Sequence, residues 1–259
     1  MSKAKNTFLR FKKQIFEILG VVSLLLIWEF FAIIYNNQEI VPGLGRIFLA
    51  CFDLLSMKEV YLAFGETLLR TIFAIIISFI IGTVLGLLSG LFEGLRHYLK
   101  PIIEFIKLIP TPCIVFLILV FFLKSPNVGS LIITFIVVFP IIYESMLKGI
   151  IEVDPFIKMS LRLEGYFKLK SVFKVLLPQT SPFVALGLVN SLSLGVKVSI
   201  VSEILMSTDN LWGIGRLIYV YRLDAKYDYL IATTILAALI FLFIDVLISL
   251  IKKIFKQID

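Results

Sequence analysis

Seven ionisable residues lie in or beside long apolar runs: Glu29, Glu104, Lys107, Glu144, Lys197, Glu203 and Asp245. A charge near the centre of a bilayer is costly, so such a residue faces a bundle interior, a partner or a watery path. Lys197 is the most informative of them, because it sits deep in an apolar stretch beside Gly195 and among small polar residues. A bridge to Glu203 is disfavoured, since residues six apart on a helix point to different faces. Either an acid from another helix neutralises Lys197, or Lys197 meets an anionic solute. Glu104, Lys107, Glu144 and Lys148 stand near the ends of apolar runs, where long polar side chains reach for the interface.

Other chemistries find little support. Glu104 and Glu144 are the one pair of carboxylates that a membrane enzyme could use, and lone acids on separate helices make a weak acid–base pair. The chain has a single histidine, His97, and two distant cysteines, Cys51 and Cys113, with no CxxC, so neither a metal site nor a disulfide framework is indicated. No GxxxxGK[ST] loop is present to cradle phosphates. The chain is read as a non-enzyme with no cofactor of its own.

The elements that must position these charges are membrane helices. Of 259 residues, 59% are hydrophobic and only 17% charged, and the mean hydropathy is +1.02. Soluble domains are nearer half apolar and a quarter charged. Apolar runs near Ile18–Tyr35, Leu68–Leu91, Ile102–Leu123, Val128–Leu147, Phe183–Met206 and Tyr229–Ile251 are each close to the ~20 residues that cross a bilayer. The first run is too long for a signal peptide and lacks a cleavage site. The sequence thus predicts an all-α integral membrane protein, a single transmembrane domain over 1–259 with about six spans and both termini on one side. Basic residues concentrate in the basic start (1–17), Phe92–Lys100, Lys148–Pro182 and the tail (252–259), while the remaining loops carry more acids. The positive-inside rule therefore places both termini and the 152–179 stretch in the cytoplasm. The formal charge of +7 belongs to these loops and not to a nucleic-acid surface.

Several spans look built for close packing. Gly82, Gly86, Gly90 and Gly94 recur every four residues, a pattern that lets another backbone approach. The fifth span holds Ala185, Gly187, Asn190, Ser191, Ser193, Gly195 and Ser199, suited to a bundle interior or the lining of a passage. Pro110 and Pro112 interrupt the third span, and broken helices are tolerated in membranes where they line a cavity or are buried in protein.

The 152–179 stretch is the longest polar interruption and reads as two short amphipathic helices. Asp154 followed by Pro155 is a helix start, and Gly165 stands where the first helix would end. Leu169, Val172, Phe173 and Leu176 share one face of the second helix, and Pro178 and Pro182 are expected to stop it. Such a pair is either a headgroup-level hairpin or a docking element for a soluble partner.

This stretch resembles the cytoplasmic signature of binding-protein-dependent ABC transporter permeases, Glu-Ala-Ala, three residues, Gly, nine residues, Ile, any residue, Leu, Pro. Gly165, Val175, Leu177 and Pro178 match the second half in spacing, while Met159, Ser160 and Leu161 occupy the Glu-Ala-Ala positions and Glu164 is out of register. Thr67-Leu68-Leu69-Arg70, Lys100-Pro101-Ile102, Lys107-Leu108-Ile109-Pro110, Val153-Asp154-Pro155, and Glu203-Ile204-Leu205 with Leu211-Trp212-Gly213-Ile214-Gly215 resemble landmarks of the branch importing sulfonates, taurine, nitrate and thiamine-type pyrimidines.

The resemblance implies a type I importer-like permease in the cytoplasmic membrane of a prokaryote. It implies a homodimer or a paired permease, a cytoplasmic ATPase dimer that binds ATP and Mg, and an external solute-binding protein. Asp154, Met159, Ser160, Leu161, Glu164, Gly165, Val175, Leu177 and Pro178 would then couple to the ATPase. Lys107, Pro110, Asn190, Ser193, Lys197 and Glu203 are the candidates for the translocation path of a small, anionic or polar solute. The competing class is an ATP-independent carrier or channel; such carriers often show inverted repeats, and no convincing repeat relates the two halves.

Overall fold

The structure is a computed structural model that describes residues 2–163, 171–208 and 210–255. Among the described residues it is helical throughout, with no strand. The elements are α1 (Ser2–Tyr35), α2 (Leu44–Ser56), α3 (Lys58–Leu91), α4 (Glu93–Leu108), α5 (Thr111–Phe122), α6 (Pro126–Glu152), α7 (Pro155–Leu163), α8 (Leu177–Leu205, entered through a π-helical turn at Val172–Leu176), α9 (Ile214–Leu223) and α10 (Tyr227–Phe255).

Among the described residues four helical stretches are long and apolar enough to cross a membrane: Ile15–Tyr35, Lys58–Leu91, Pro126–Glu152 and Val172–Leu205. The expected third span is a pair, α4 and α5, bent by 97°. Pro110 causes the break, with φ −58° and ψ 132° at the head of α5, a conformation that no helix can continue through. The expected last span lies on α10, where the apolar stretch Tyr227–Phe243 is shorter.

The chain divides into two compact units, Met1–Lys58 with Leu217–Ala238 and Glu59–Arg216 with Leu239–Asp259. In the first unit Glu29 finds a use within the protein. Its Oε2 accepts the Leu44 N–H at 2.8 Å, satisfying one of the orphan donors at the start of α2. Trp28 Nε1 donates to Pro42 O at 3.1 Å beside it, and Tyr229 Oη donates to Asp53 Oδ2 at 3.0 Å.

In the second unit α6 packs extensively against α8. The glycine face of α3 packs against α6 as its spacing predicts. A Cβ on Gly86 would lie 2.7 Å from Tyr143 O, and one on Gly90 would lie 2.5 Å from Ile150 Cγ2. Gly94 falls outside this face, on α4, with open space around it. Gly187, Ser191, Gly195 and Ser199 of α8 are buried at four-residue intervals. A Cβ on Gly187 would meet Ser145 of α6 and one on Gly195 would meet Thr71 of α3, so small side chains there let the helices approach closely.

The expectation that Pro178 and Pro182 end a short second helix is overturned. The chain runs as one helix from Val172 to Leu205. The Leu177 N–H bonds to Val172 O, a wider turn than the α-helical one. Widening of the turn just ahead of Pro178 gives room for the ring and absorbs the missing donor, which a regular α-helix does not. Pro178 then sits in the first turn of α8, where a missing N–H is cheap.

Candidate functional site

Three places in the second unit gather the residues singled out by sequence. The first is α7 and its support. Asp154 caps the helix as its type predicts, accepting the Phe156 N–H on Oδ1 at 2.7 Å. Lys158 Nζ reaches Ile151 O at 2.6 Å, engaging a carbonyl in the last turn of α6. Leu161 is buried in a cluster with Met146, Ile150, Val153, Val172 and Leu176, and Ile157, Val175 and Leu177 pack against it. This cluster fixes α7 to both α6 and the start of α8. The opposite side of α7 is exposed and partly apolar, with Phe156 82% and Met159 64% accessible. Ser160 is exposed and bonds back to Phe156 O at 3.1 Å. Glu164, Gly165 and the Lys168–Lys170 segment lie outside the described residues.

The second place is the exposed face of α8. Asn190 and Lys197 are exposed and Ser193 is half-buried along one line of the helix, because steps of three and four residues return to the same face. The small residues Gly187, Ser191, Gly195 and Ser199 occupy the buried side. Among the described residues Lys197 has no ion-pair partner. Lys107, by contrast, is paired with Glu144 at 2.6 Å, each about half exposed. Glu104 is not joined to Glu144 in a pair; it forms a loose ion pair with Lys100, at 3.9 Å. Asp245 lies where side chains are not described.

The third place joins two sequence landmarks that stand far apart in the chain. Glu203 of α8 is fully buried, and its partner is Arg70 of α3, only 6% exposed. Arg70 also donates to Asn127 Oδ1 at 2.7 Å and to Trp212 O at 2.9 Å. The other carboxylate oxygen accepts from Thr67 Oγ1 at 2.9 Å and from the Gly215 N–H at 2.9 Å. Thr67 Oγ1 in turn accepts the Ile214 N–H at 2.9 Å. Gly213 and Gly215 are required here, since a Cβ on either would collide with Glu203. Both carboxylate oxygens and both terminal guanidinium nitrogens of the buried pair are therefore engaged, the condition under which a buried ion pair is tolerable. Sequence reasoning missed this partnership. The usable signal was an intramembrane acid that needs a cation, with Arg70 buried near the start of another apolar helix.

A family model described as "Binding-protein-dependent transport system inner membrane component" matches residues 79–257. No curated protein sequence matches the chain. Among solved structures, the fold is similar to that of the MetNI methionine ABC transporter in inward-facing conformations, at 17% identity over 78% of this chain and 96% of that chain, with a TM-score of 0.66. It is also similar to a bacterial ABC transporter involved in the import of the acidic polysaccharide alginate, at 18% identity over 94% of this chain and 98% of that chain, with a TM-score of 0.67. With four apolar helices able to span a bilayer among the described residues and an α7 anchored between two of them, the chain belongs to the family of inner membrane components of binding-protein-dependent transport systems.

Proposed function

We propose that this chain is the permease subunit of an ATP-driven importer for a small polar or anionic solute, with α7 as its coupling helix and the exposed polar line of α8 as part of its path. One observation carries the reading: a single helix joins the two functional ends. Val172 and Leu176 are packed in the cluster that holds Leu161 of α7, and the same unbroken helix presents Lys197. At 1.5 Å per residue, Leu176 and Lys197 are about 32 Å apart along one rod. A push on α7 is thus delivered to the face bearing Asn190, Ser193 and Lys197.

In this reading α7 lies in the cytoplasm with both termini, and Phe156 and Met159 enter a groove on a separate ATPase that holds ATP and Mg. A second permease, either another copy or a paired chain, completes the path facing α8. An external binding protein delivers the solute. Lys197 supplies an unpaired cation in a low-dielectric passage, where attraction to an anion is strong. Glu203 acts as a pin between α3 and α8 and not as a solute contact, because it is buried and fully engaged.

The test is uptake by the complete transporter in proteoliposomes. Lys197→Met is expected to fold and assemble normally while uptake falls at least tenfold, a loss of ~1.4 kcal/mol or more of solute interaction. Unchanged uptake would contradict the assignment of Lys197 to the path.

A further inference from the structure

A cavity of about 400 Å³ lies between α4 and α6 and has no part in the coupling or path assignments above. Arg96, Lys100 and Glu104 of α4 line it together with Tyr143 and Glu144 of α6. The other side of α4 exposes Tyr98, Ile102, Phe105 and Leu108. Its charged face is thus turned towards α6 and its apolar face away from it.

The acids and bases of this wall are loosely paired. Lys100 and Glu104 are 3.9 Å apart and more than half exposed, and Glu144 is held by Lys107 from the neighbouring turn. Pairs this exposed contribute at most about 1 kcal/mol, so a ligand can exchange with them. Two donors have no partner. Arg96 makes no side-chain hydrogen bond or ion pair among the described residues. Tyr143 is 2% exposed, and its hydroxyl is buried without a hydrogen-bond partner, a situation that costs about 1–3 kcal/mol.

Charge balance selects the kind of ligand. Glu93, Glu104 and Glu144 stand among Arg96, Lys100 and His97 on the same wall, with His97 3.7 Å from Glu93 and Lys107 on Glu144, so a net anion meets the three carboxylates and a net cation meets the bases between them. A molecule bearing both charges satisfies both sets of groups. The volume is in the range of sites for small ligands, ~300–1,000 Å³.

We infer that this cavity binds a small zwitterion, its anionic group held by Arg96 and Lys100 and its cationic group by Glu104 and Glu144, as a station for the solute in transit. The inference rests on the permease reading, and it narrows the solute to a dipolar one. A zwitterionic lipid headgroup has the same chemistry, and the experiment separates the two sources.

Full-length protein carrying Cys51→Ser, Cys113→Ser and Leu147→Cys places one reporter thiol on the cavity wall. It is reconstituted in phosphatidylglycerol liposomes, with or without phosphatidylethanolamine, and labelled with a charged, membrane-impermeant methanethiosulfonate. β-Alanine is expected to slow labelling about threefold at twice its Kd, whereas propionate and ethylamine leave the rate unchanged. Arg96→Gln is expected to abolish the protection, read as the ratio of labelling rates with and without β-alanine in the same variant. Equal protection by propionate, or none by β-alanine, would overturn the zwitterion site. Protection that comes only from phosphatidylethanolamine would assign the cavity to lipid and overturn its place in transit. Should β-alanine fail here while Lys197→Met still abolishes uptake, the permease reading stands and the cavity assignment alone falls.

Discussion

At the scale of single residues, the chemistry is that of charges placed where water is scarce. Four donors converge on Glu203, from Arg70, Thr67, Ser199 and the Gly215 backbone. Removing one partner from such a pair leaves an uncompensated buried charge and costs about 3–5 kcal/mol. Arg70→Ala and Glu203→Ala are each expected to lower the melting temperature of the detergent-purified protein sharply. The double variant should lose clearly less than the sum, because each single change already removes the shared interaction. Additive losses would show that the two side chains act separately. Asp154→Ala is expected to cost about 1 kcal/mol by uncapping α7, read as faster hydrogen exchange at Phe156 and its neighbours. Single residues were legible in sequence where their partner is local. Asp154 caps two residues onward, whereas Glu203 and Arg70 are 133 positions apart and their pairing is fixed only by how α3 meets α8.

At the scale of elements, glycine spacing decides which helices can touch. Gly86 has no room for a methyl group, with Tyr143 O and Met146 Cβ at 2.7 and 2.8 Å from its ideal position. Gly86→Ala should therefore separate α3 from α6 and destabilise the protein. Gly94→Ala meets open space and is expected to be neutral or to stabilise by about 0.5–1 kcal/mol through helix propensity. Thermal melts of the two variants distinguish these outcomes, and equal melts would contradict the packing account. The four-residue repeat showed the face but overextended it, since periodicity does not register that α3 stops at Leu91 and Gly94 belongs to α4. Proline misled in the other direction. Pro110 does break a helix, with a 97° bend, but Pro178 is carried through by a π turn that depends on the local hydrogen bonding and not on residue type.

At the scale of the whole molecule, the membrane class and the helical fold were readable from composition and from runs of apolar residues. The transport family was legible in the spacing from Gly165 to Pro178 and in the landmarks around it. What sequence concealed is that α8 is one rod from the α7 cluster to Lys197, because two prolines in its first turns looked like a stop. That rod makes a mechanical prediction. If the exposed side of α7 seats in an ATPase, a carboxylate placed there should unseat it without disturbing the fold, since Phe156 is 82% exposed and contributes little to the core. The most direct measurement is co-purification in detergent of the permease with the ATPase encoded nearest to it, comparing wild type with Phe156→Asp. Stable recovery of the ATPase is expected with wild type and its loss with Phe156→Asp, at unchanged melting temperature of the permease. Recovery of the permease alone in both cases, or equal recovery of the ATPase in both, would contradict the assignment of α7 as the coupling helix.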